Sequence, residues 1–121
     1  MRVETLTRVC PLTEDTVDPI KDQDNIVVLT HAVVSKVNLG WSIWPFGYKR
    51  ATGVQVKFPD GHNVDAYAGW WWTGEVVLAA GTIRTPQILE LSGIGDKKVL
   101  KPLGIKVQVD LPGVGTNYED Q

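Results

Sequence analysis

The segment of residues 75–81, EVVLAAG, is the first candidate for a ligand contact. It is a short apolar run that ends in three small residues, Ala79, Ala80 and Gly81, which we call the small-residue lip. Small side chains leave space beside the main chain, and open α/β sheets bind ligands at the carboxyl ends of their strands. The lip therefore indicates a place for a ligand and not a catalytic group.

Residue types that carry nucleophilic, acid–base or metal chemistry are few and scattered. The chain has one cysteine, Cys10, and two histidines, His31 and His62, and none of the three has a second ligand at metal-binding spacing. Ser92 precedes a glycine but lacks the spacing of a nucleophile elbow. The carboxylates lie in polar or turn segments, so no pair of them stands out for acid–base catalysis. These residues predict neither a catalytic centre nor a metal site.

Two glycine pairs begin like a phosphate-binding loop: GIGDKK, with Gly93 and Gly95, and GVGTNY, with Gly113 and Gly115. A dinucleotide-binding fingerprint needs a third glycine and a position between a strand and a long helix. Neither pair meets these conditions. We interpret the first pair as the end of a helix and the second as the turn of a loop.

The elements that would position the lip are typical of an α/β fold. Residues 25–37, NIVVLTHAVVSKV, predict a strand buried on both faces, as in a parallel sheet. EVVLAAG predicts a second short buried strand, and residues 105–111, IKVQVDL, predict a last one. ATGVQVKF and HNVDAYA flank the turn sequence PDG at residues 59–61, which predicts an antiparallel hairpin.

A helix is expected directly after the lip. Thr85 is suited to its N-cap and Pro86 to its first helical position, where a missing N–H does no harm. Gly93 can adopt the left-handed conformation that ends a helix. Asp96 can cap another short helical turn. The apolar face of the main helix consists of Ile88, Leu89 and Leu91.

The bulk properties fit one soluble domain. The chain has 121 residues, of which 43% are hydrophobic and 21% charged. A net charge of −2 with 12 scattered Lys and Arg residues argues against nucleic-acid binding. The first ten residues lack the apolar stretch of a signal peptide, and no run approaches the roughly 20 apolar residues that cross a bilayer. Residues 1–24, with an acidic tract, predict a poorly ordered segment.

A tryptophan-rich loop suggests an alternative role. Residues 69–74, GWWWTG, hold three consecutive tryptophans, which cannot all face the same side of a strand. Such rings can form an interaction platform, or they can cover a neighbouring element. In the first case the chain would be a non-catalytic interaction module.

Residues 81–95, GTIRTPQILELSGIG, resemble the second signature of the glucose–methanol–choline (GMC) flavoprotein oxidoreductases. That signature asks for Gly or Ser, a small residue, Thr or Ser before Pro, two aliphatic residues and Ser-Gly-aliphatic-Gly, and each is present. The flanking segments follow in the order seen in that family. The resemblance covers residues 25–121 and implies part of a doubly wound, Rossmann-like FAD-binding domain with an antiparallel hairpin insertion.

The resemblance also implies a cofactor, a reaction and contacts. The cofactor would be FAD, and the reaction would be oxidation of the CH–OH group of a small-molecule alcohol by hydride transfer to the flavin. The residue at Val34 would contact the adenine through its main chain. The lip, Ala79, Ala80 and Gly81, would lie against the ADP moiety.

The chain departs from the family pattern in several places. We find no counterpart of the family's N-terminal GxGxxG, which holds the pyrophosphate at a helix N-terminus, or of its C-terminal catalytic histidine. The tail GVGTNYEDQ resembles the family's GVGxNLxDH, with Tyr118 and Gln121 at two specified positions. We therefore expect an internal fragment that lacks catalysis by itself. Many fungal members of the family are secreted. The resemblance specifies neither the cellular location of this chain, nor the alcohol, nor the oligomeric state.

Overall fold

The computed structural model describes residues 27–41, 47–69 and 74–119. Within these ranges seven elements follow one another: β1 (Val33–Trp41), β2 (Lys49–Lys57), β3 (Asn63–Tyr67), α1 (Gly81–Leu91), β4 (Ile94–Gly95), α2 (Lys97–Leu100) and β5 (Val109–Asp110). Strands β1, β2 and β3 form an antiparallel sheet in that order, and β4 pairs with β5 in parallel. The expected α/β class with an antiparallel hairpin is confirmed. The predictions for residues 1–24 and for the tryptophans at 70–72 fall outside the described residues.

The hairpin between β2 and β3 forms at the PDG turn, as its sequence predicts. The Gly61 amide donates to the Phe58 carbonyl at 2.9 Å, and the Phe58 amide donates to the His62 carbonyl at 3.0 Å. Val54 and Val56 lie two residues apart on β2, and both side chains are buried. Because side chains alternate along a strand, this spacing puts both valines on one face of the sheet.

The structure contradicts the prediction of a doubly buried parallel strand over residues 25–37. Strand β1 starts only at Val33, pairs antiparallel with β2 and buries one face. Val27 and Leu29, in the first half of the run, lie outside any strand and are half exposed. An apolar run predicts burial but does not specify a partner strand. Here the partner is the next strand along the chain, and a short connection favours antiparallel pairing.

A β-bulge at Ser35 determines which residues of β1 face the core. Val34 and Val37 are both buried although they are three residues apart, a spacing that would place them on opposite faces of a regular strand. The register with β2 shifts between Val34 and Lys36, so Ser35 is the additional residue. Its hydroxyl donates to the Gln55 carbonyl at 3.2 Å. The bulge therefore turns both valines towards the core.

The segment before α1 is not the doubly buried strand that its sequence predicts. Residues 74–79 belong to no strand, and their exposure alternates. Val76 and Leu78 pack against the core, whereas Val77 and Ala79 are exposed. Only one side of this segment is covered among the described residues. The last predicted strand, residues 105–111, is likewise shorter and consists of Val109–Asp110.

Helix α1 begins five residues earlier than predicted, with its N-cap at Ala80 instead of Thr85. Its first residue is Gly81, whose φ of 86° turns the chain sharply after Ala80. Thr85 therefore lies within the helix, and its hydroxyl accepts a hydrogen bond from the Ala80 amide at 3.2 Å. Pro86 is also internal and removes one backbone hydrogen bond from the helix. The glycine, and not the Thr-Pro step, starts this helix.

The predicted ends of the helical segments are confirmed. Gly93, with a φ of 82°, follows the C-cap residue Ser92, and its amide donates to the Glu90 carbonyl at 2.9 Å. Asp96 is the N-cap of α2, where its carboxylate accepts from the Lys98 amide at 2.8 Å. Residues 112–115 form a turn, as the interpretation of the second glycine pair requires.

The core lies between the sheet and α1, which packs on β1. Its buried apolar residues are Val34, Val37, Val54, Val56, Ala80 and Ile88. Within the described ranges, no helix is both long and apolar enough to cross a membrane.

Candidate cofactor-binding site

The fold brings Val34 and the small-residue lip together. Val34 on β1 and Ala80 at the start of α1 belong to the same buried cluster. The residues on either side of Ala80, namely Ala79 and Gly81, are exposed. Packing of Ala80 in the core thus fixes the position of the lip, and Ala79 and Gly81 are exposed to solvent next to β1.

The edge of β1 carries main-chain groups that β2 does not bind. In the described sheet β1 is an outer strand, and the Val37 amide donates to the Ser92 hydroxyl at 2.7 Å instead of to a neighbouring strand. The bulge at Ser35 places Val34 on the same side of the pleat as Val37. Because each residue of a strand directs its N–H and C=O to one edge, those of Val34 point away from β2 as well. This edge can offer a donor and an acceptor to a planar base.

The lip has open space beside its main chain. A Cβ built on Gly81 would meet no other atom within 4 Å. No described side chain caps α1, and no acidic residue lies in its first turn. A helix N-terminus of this kind favours anionic groups, since its first N–H groups lack partners and acidic side chains would compete. Together with the edge at Val34, these features fit the adenine and diphosphate ends of FAD.

Ser92 is a residue of this region that sequence reasoning missed. It is the buried polar side chain of the described core, with 8% of its surface exposed. Its hydroxyl donates to the Ile88 carbonyl at 2.5 Å while it accepts from Val37. In the sequence Ser92 is the serine of the Ser-Gly-aliphatic-Gly part of the signature, but nothing local identifies its partner on β1, 55 positions away.

The two histidines lie on exposed turns outside this site. His31 precedes β1 and contacts the Thr30 hydroxyl at 3.3 Å. His62 precedes β3, where its ring bonds Asp60 and stacks on Phe58. The His62 amide donates to the Asp60 carboxylate at 3.1 Å and thereby lowers the pKa of that carboxyl. Among the described residues, no group of three His, Cys, Asp or Glu side chains could hold a metal ion.

An exposed ion pair joins α2 to β5. Lys97 Nζ lies 2.9 Å from Asp110 Oδ2, and the Lys97 amide donates to Asp110 Oδ1 at 3.2 Å. The hydrogen bond from the ammonium lowers the pKa of Asp110, and the same bond raises the pKa of Lys97.

Comparison with known families decides the origin of this arrangement. The family model described as GMC oxidoreductase matches residues 13–121. The chain belongs to the GMC oxidoreductase family. The resemblance at residues 81–95 is therefore confirmed, and the matched range includes β1, the lip and α1.

Similar GMC proteins include oxygen-dependent choline dehydrogenases. That of Staphylococcus haemolyticus (strain JCSC1435) is 43% identical over 103 residues, and that of Staphylococcus aureus (strain JH9) is 41% identical over 104 residues. Both alignments cover 84% of this chain but only 16% of the relative. The GMC chain thus spans about one sixth of the length of these curated relatives.

Solved structures share the fold. An FAD-dependent oxidoreductase from Chaetomium thermophilum matches 79% of this chain at 37% identity, with a TM-score of 0.65 and 15% of its own length covered. A formate oxidase of Aspergillus oryzae RIB40, solved to study modification of its FAD, matches 75% at 27% identity, with a TM-score of 0.63 and 14% of its length covered. The expected cofactor, FAD, agrees with both relatives.

Proposed function

We propose that this GMC chain forms the adenine side of an FAD site in an enzyme that oxidises the CH–OH group of a small alcohol. The observation that carries the proposal is the packing of Val34 and Ala80 in one buried cluster, which sets an edge of β1 that no described strand pairs with beside the small-residue lip. Bound FAD would supply the chemistry by accepting a hydride from the carbinol carbon. The residues of this chain bind and orient the adenine end of the cofactor.

The contacts follow from the exposure of each residue. The side chain of Val34 is buried in the core, so Val34 contacts the adenine edge through its main-chain N–H and C=O. Ala79 and Gly81 lie against the ADP moiety, where larger side chains would fill the space. Ala80 holds the lip on the core. Relatives named as an oxygen-dependent choline dehydrogenase and an FAD-dependent oxidoreductase support FAD as the cofactor and an oxidoreductase as the enzyme class.

We further propose that the chain does not catalyse alcohol oxidation by itself. Within the described ranges, His31 and His62 lie on exposed turns and bond to residues one and two positions away. The tryptophan-rich interaction module stays a prediction, since residues 70–72 fall outside the described part of the chain.

Titration of the purified chain with FAD tests the proposal. Calorimetry should show saturable binding of FAD, and ADP should compete because the contacts are to the adenine half. Ala79→Phe should weaken binding about tenfold, equivalent to about 1.4 kcal/mol, by filling the lip. Val77→Phe is the matched control, because Val77 lies two residues earlier on the same exposed side of the segment.

The possible outcomes of this titration lead to different conclusions. Saturable binding that is sensitive to Ala79→Phe and insensitive to Val77→Phe supports the proposed site. Equal affinities for both variants would show that FAD does not contact the lip. A chain that is folded by circular dichroism and binds neither FAD nor ADP contradicts the proposal.

A further inference from the structure

The Ser92 hydroxyl joins two parts of the fold that approach the lip from different directions. It accepts a hydrogen bond from the Val37 amide on β1 at 2.7 Å and donates one to the Ile88 carbonyl in α1 at 2.5 Å. A hydroxyl has one proton to donate. Here that proton bonds to the Ile88 carbonyl of α1, and a lone pair of the same oxygen accepts from the Val37 amide of β1. These two hydrogen bonds connect the last turn of α1 to the edge of β1 that no described strand pairs with.

Helix α1 therefore connects the two halves of the candidate site. Gly81, in the lip, is its first residue, and Ser92 follows its last. Ser92 binds β1 at Val37, on the same edge of the strand as Val34. The position of the lip relative to the main chain of Val34 thus depends on the hydrogen bond at Ser92 as well as on the packing of Ala80 in the core.

We propose that Ser92 is a positioning residue for the adenine half of FAD. It holds the edge of β1 at a fixed place relative to α1, so that the main-chain groups of Val34 face the base while the lip faces the diphosphate. This inference rests on the function proposed above. Ser92 itself touches neither the cofactor nor the substrate in this assignment and acts through Val37 and β1.

Core packing alone does not require a hydroxyl at this position. An alanine would fit the same space but would leave the Val37 amide without a partner in a buried setting. A buried N–H without a partner is costly, so the strand edge would shift towards water or another acceptor. The expected consequence is a displaced or more mobile β1 edge in a chain that is still folded.

The test measures the ADP dissociation constant by calorimetry at a temperature where circular dichroism shows each variant to be fully folded. Under that condition a loss of stability alone does not change the dissociation constant. Ser92→Ala should bind ADP about tenfold more weakly, equivalent to about 1.4 kcal/mol. Ser92→Thr keeps the hydroxyl and should bind within about twofold of the parent chain.

Ile88→Val is the matched control. It trims a side chain of the same core cluster but keeps the carbonyl that accepts from Ser92. Its ADP affinity should equal that of the parent. Amide exchange gives a second readout, because the Val37 amide should exchange faster in Ser92→Ala and unchanged in Ile88→Val. If Ser92→Ala does not fold, Ser92→Cys replaces it, since a thiol has similar size but hydrogen-bonds weakly.

The outcomes distinguish this role from the proposed function. Weaker ADP binding by Ser92→Ala with rescue by Ser92→Thr supports the positioning role. A parent chain that binds ADP, together with a Ser92→Ala variant that binds equally well, overturns this role and leaves the proposed function standing. A folded parent chain that does not bind ADP overturns both.

Discussion

Gly93 faces the carbonyl oxygen of Lys106 so closely that a Cβ built on the glycine would lie 2.3 Å from that oxygen. Its own carbonyl accepts hydrogen bonds from the Gln108 amide at 2.7 Å and the Val109 amide at 3.1 Å. With a φ of 82°, the same residue also ends α1. Gly93 therefore couples the end of the helix that carries the candidate site to the segment that leads into β5.

Replacing Gly93 by alanine should destabilise the chain strongly. A left-handed conformation costs a non-glycine residue about 1–2 kcal/mol. The contact with Lys106 forces a backbone shift in addition, so we expect a total loss of about 3 kcal/mol in the free energy of unfolding. Urea denaturation followed by circular dichroism measures it. Gly81→Ala is the control, since Gly81 also has a positive φ but open space around it; equal losses would contradict the steric argument.

Val56→Ala, on the sheet side of the core, should lower the free energy of unfolding. Val56 on β2 is 2% exposed, so removing two methyl groups should cost about 2 kcal/mol of unfolding free energy. Val33→Ala on β1 makes the same chemical change at a position that is 64% exposed. The difference between the unfolding free energies of the two variants, measured by chemical denaturation, separates the effect of burial from that of strand propensity. If both lose the same stability, the described core is wrong at Val56.

The N-cap of α2 can be tested at Asp96. Asp96→Ala removes the acceptor of the Lys98 amide and should cost about 1 kcal/mol. Asp96→Asn keeps a side-chain oxygen and should cost only a few tenths of a kcal/mol, about the difference between good caps. Thermal unfolding of both variants at equal salt compares them. An asparagine variant as unstable as the alanine variant would show that the charge matters and not the capping bond.

The Lys97–Asp110 pair predicts a defined pH window. The pKa of Asp110 is lower in the folded chain, so its contribution is present above about pH 4, the ordinary Asp value, and is lost as pH falls through the lowered pKa. The pKa of Lys97 is higher in the folded chain, so its contribution is present below about pH 10.4 and is lost as pH rises through the raised pKa. Between these limits the pair should stabilise the chain.

Stability measured against pH for the parent and for Lys97→Met checks this window. The difference should be small, because the side chains of Lys97 and Asp110 are 56% and 38% exposed, and it should shrink in high salt. Lys98→Met removes the same charge from α2 without removing the bond to Asp110. The prediction fails if the two lysine variants give the same pH profile.

Much of the local structure could be predicted from the sequence because its causes lie within a few residues. The PDG turn, the stop at Gly93 and the cap at Asp96 each use hydrogen bonds that span two to four positions. The family could be recognised for the same reason, since the segment of residues 81–95 carries the signature without any help from tertiary contacts. The start of α1 is also a local feature, but its prediction was wrong. The helix begins at Gly81, whose positive φ turns the chain, and not at the Thr-Pro step.

The candidate site itself depended on tertiary structure. The bulge at Ser35 forms in the pairing of β1 with β2, where the Ser35 hydroxyl bonds to the Gln55 carbonyl 20 positions away, and it brings Val34 and Val37 to the same side. The role of Ser92 depends on a strand 55 positions away in the chain. Sequence patterns report which side chains prefer burial and where the chain turns. Register and edge position follow from which segments meet, and that is decided by the free energy of packing the whole described core.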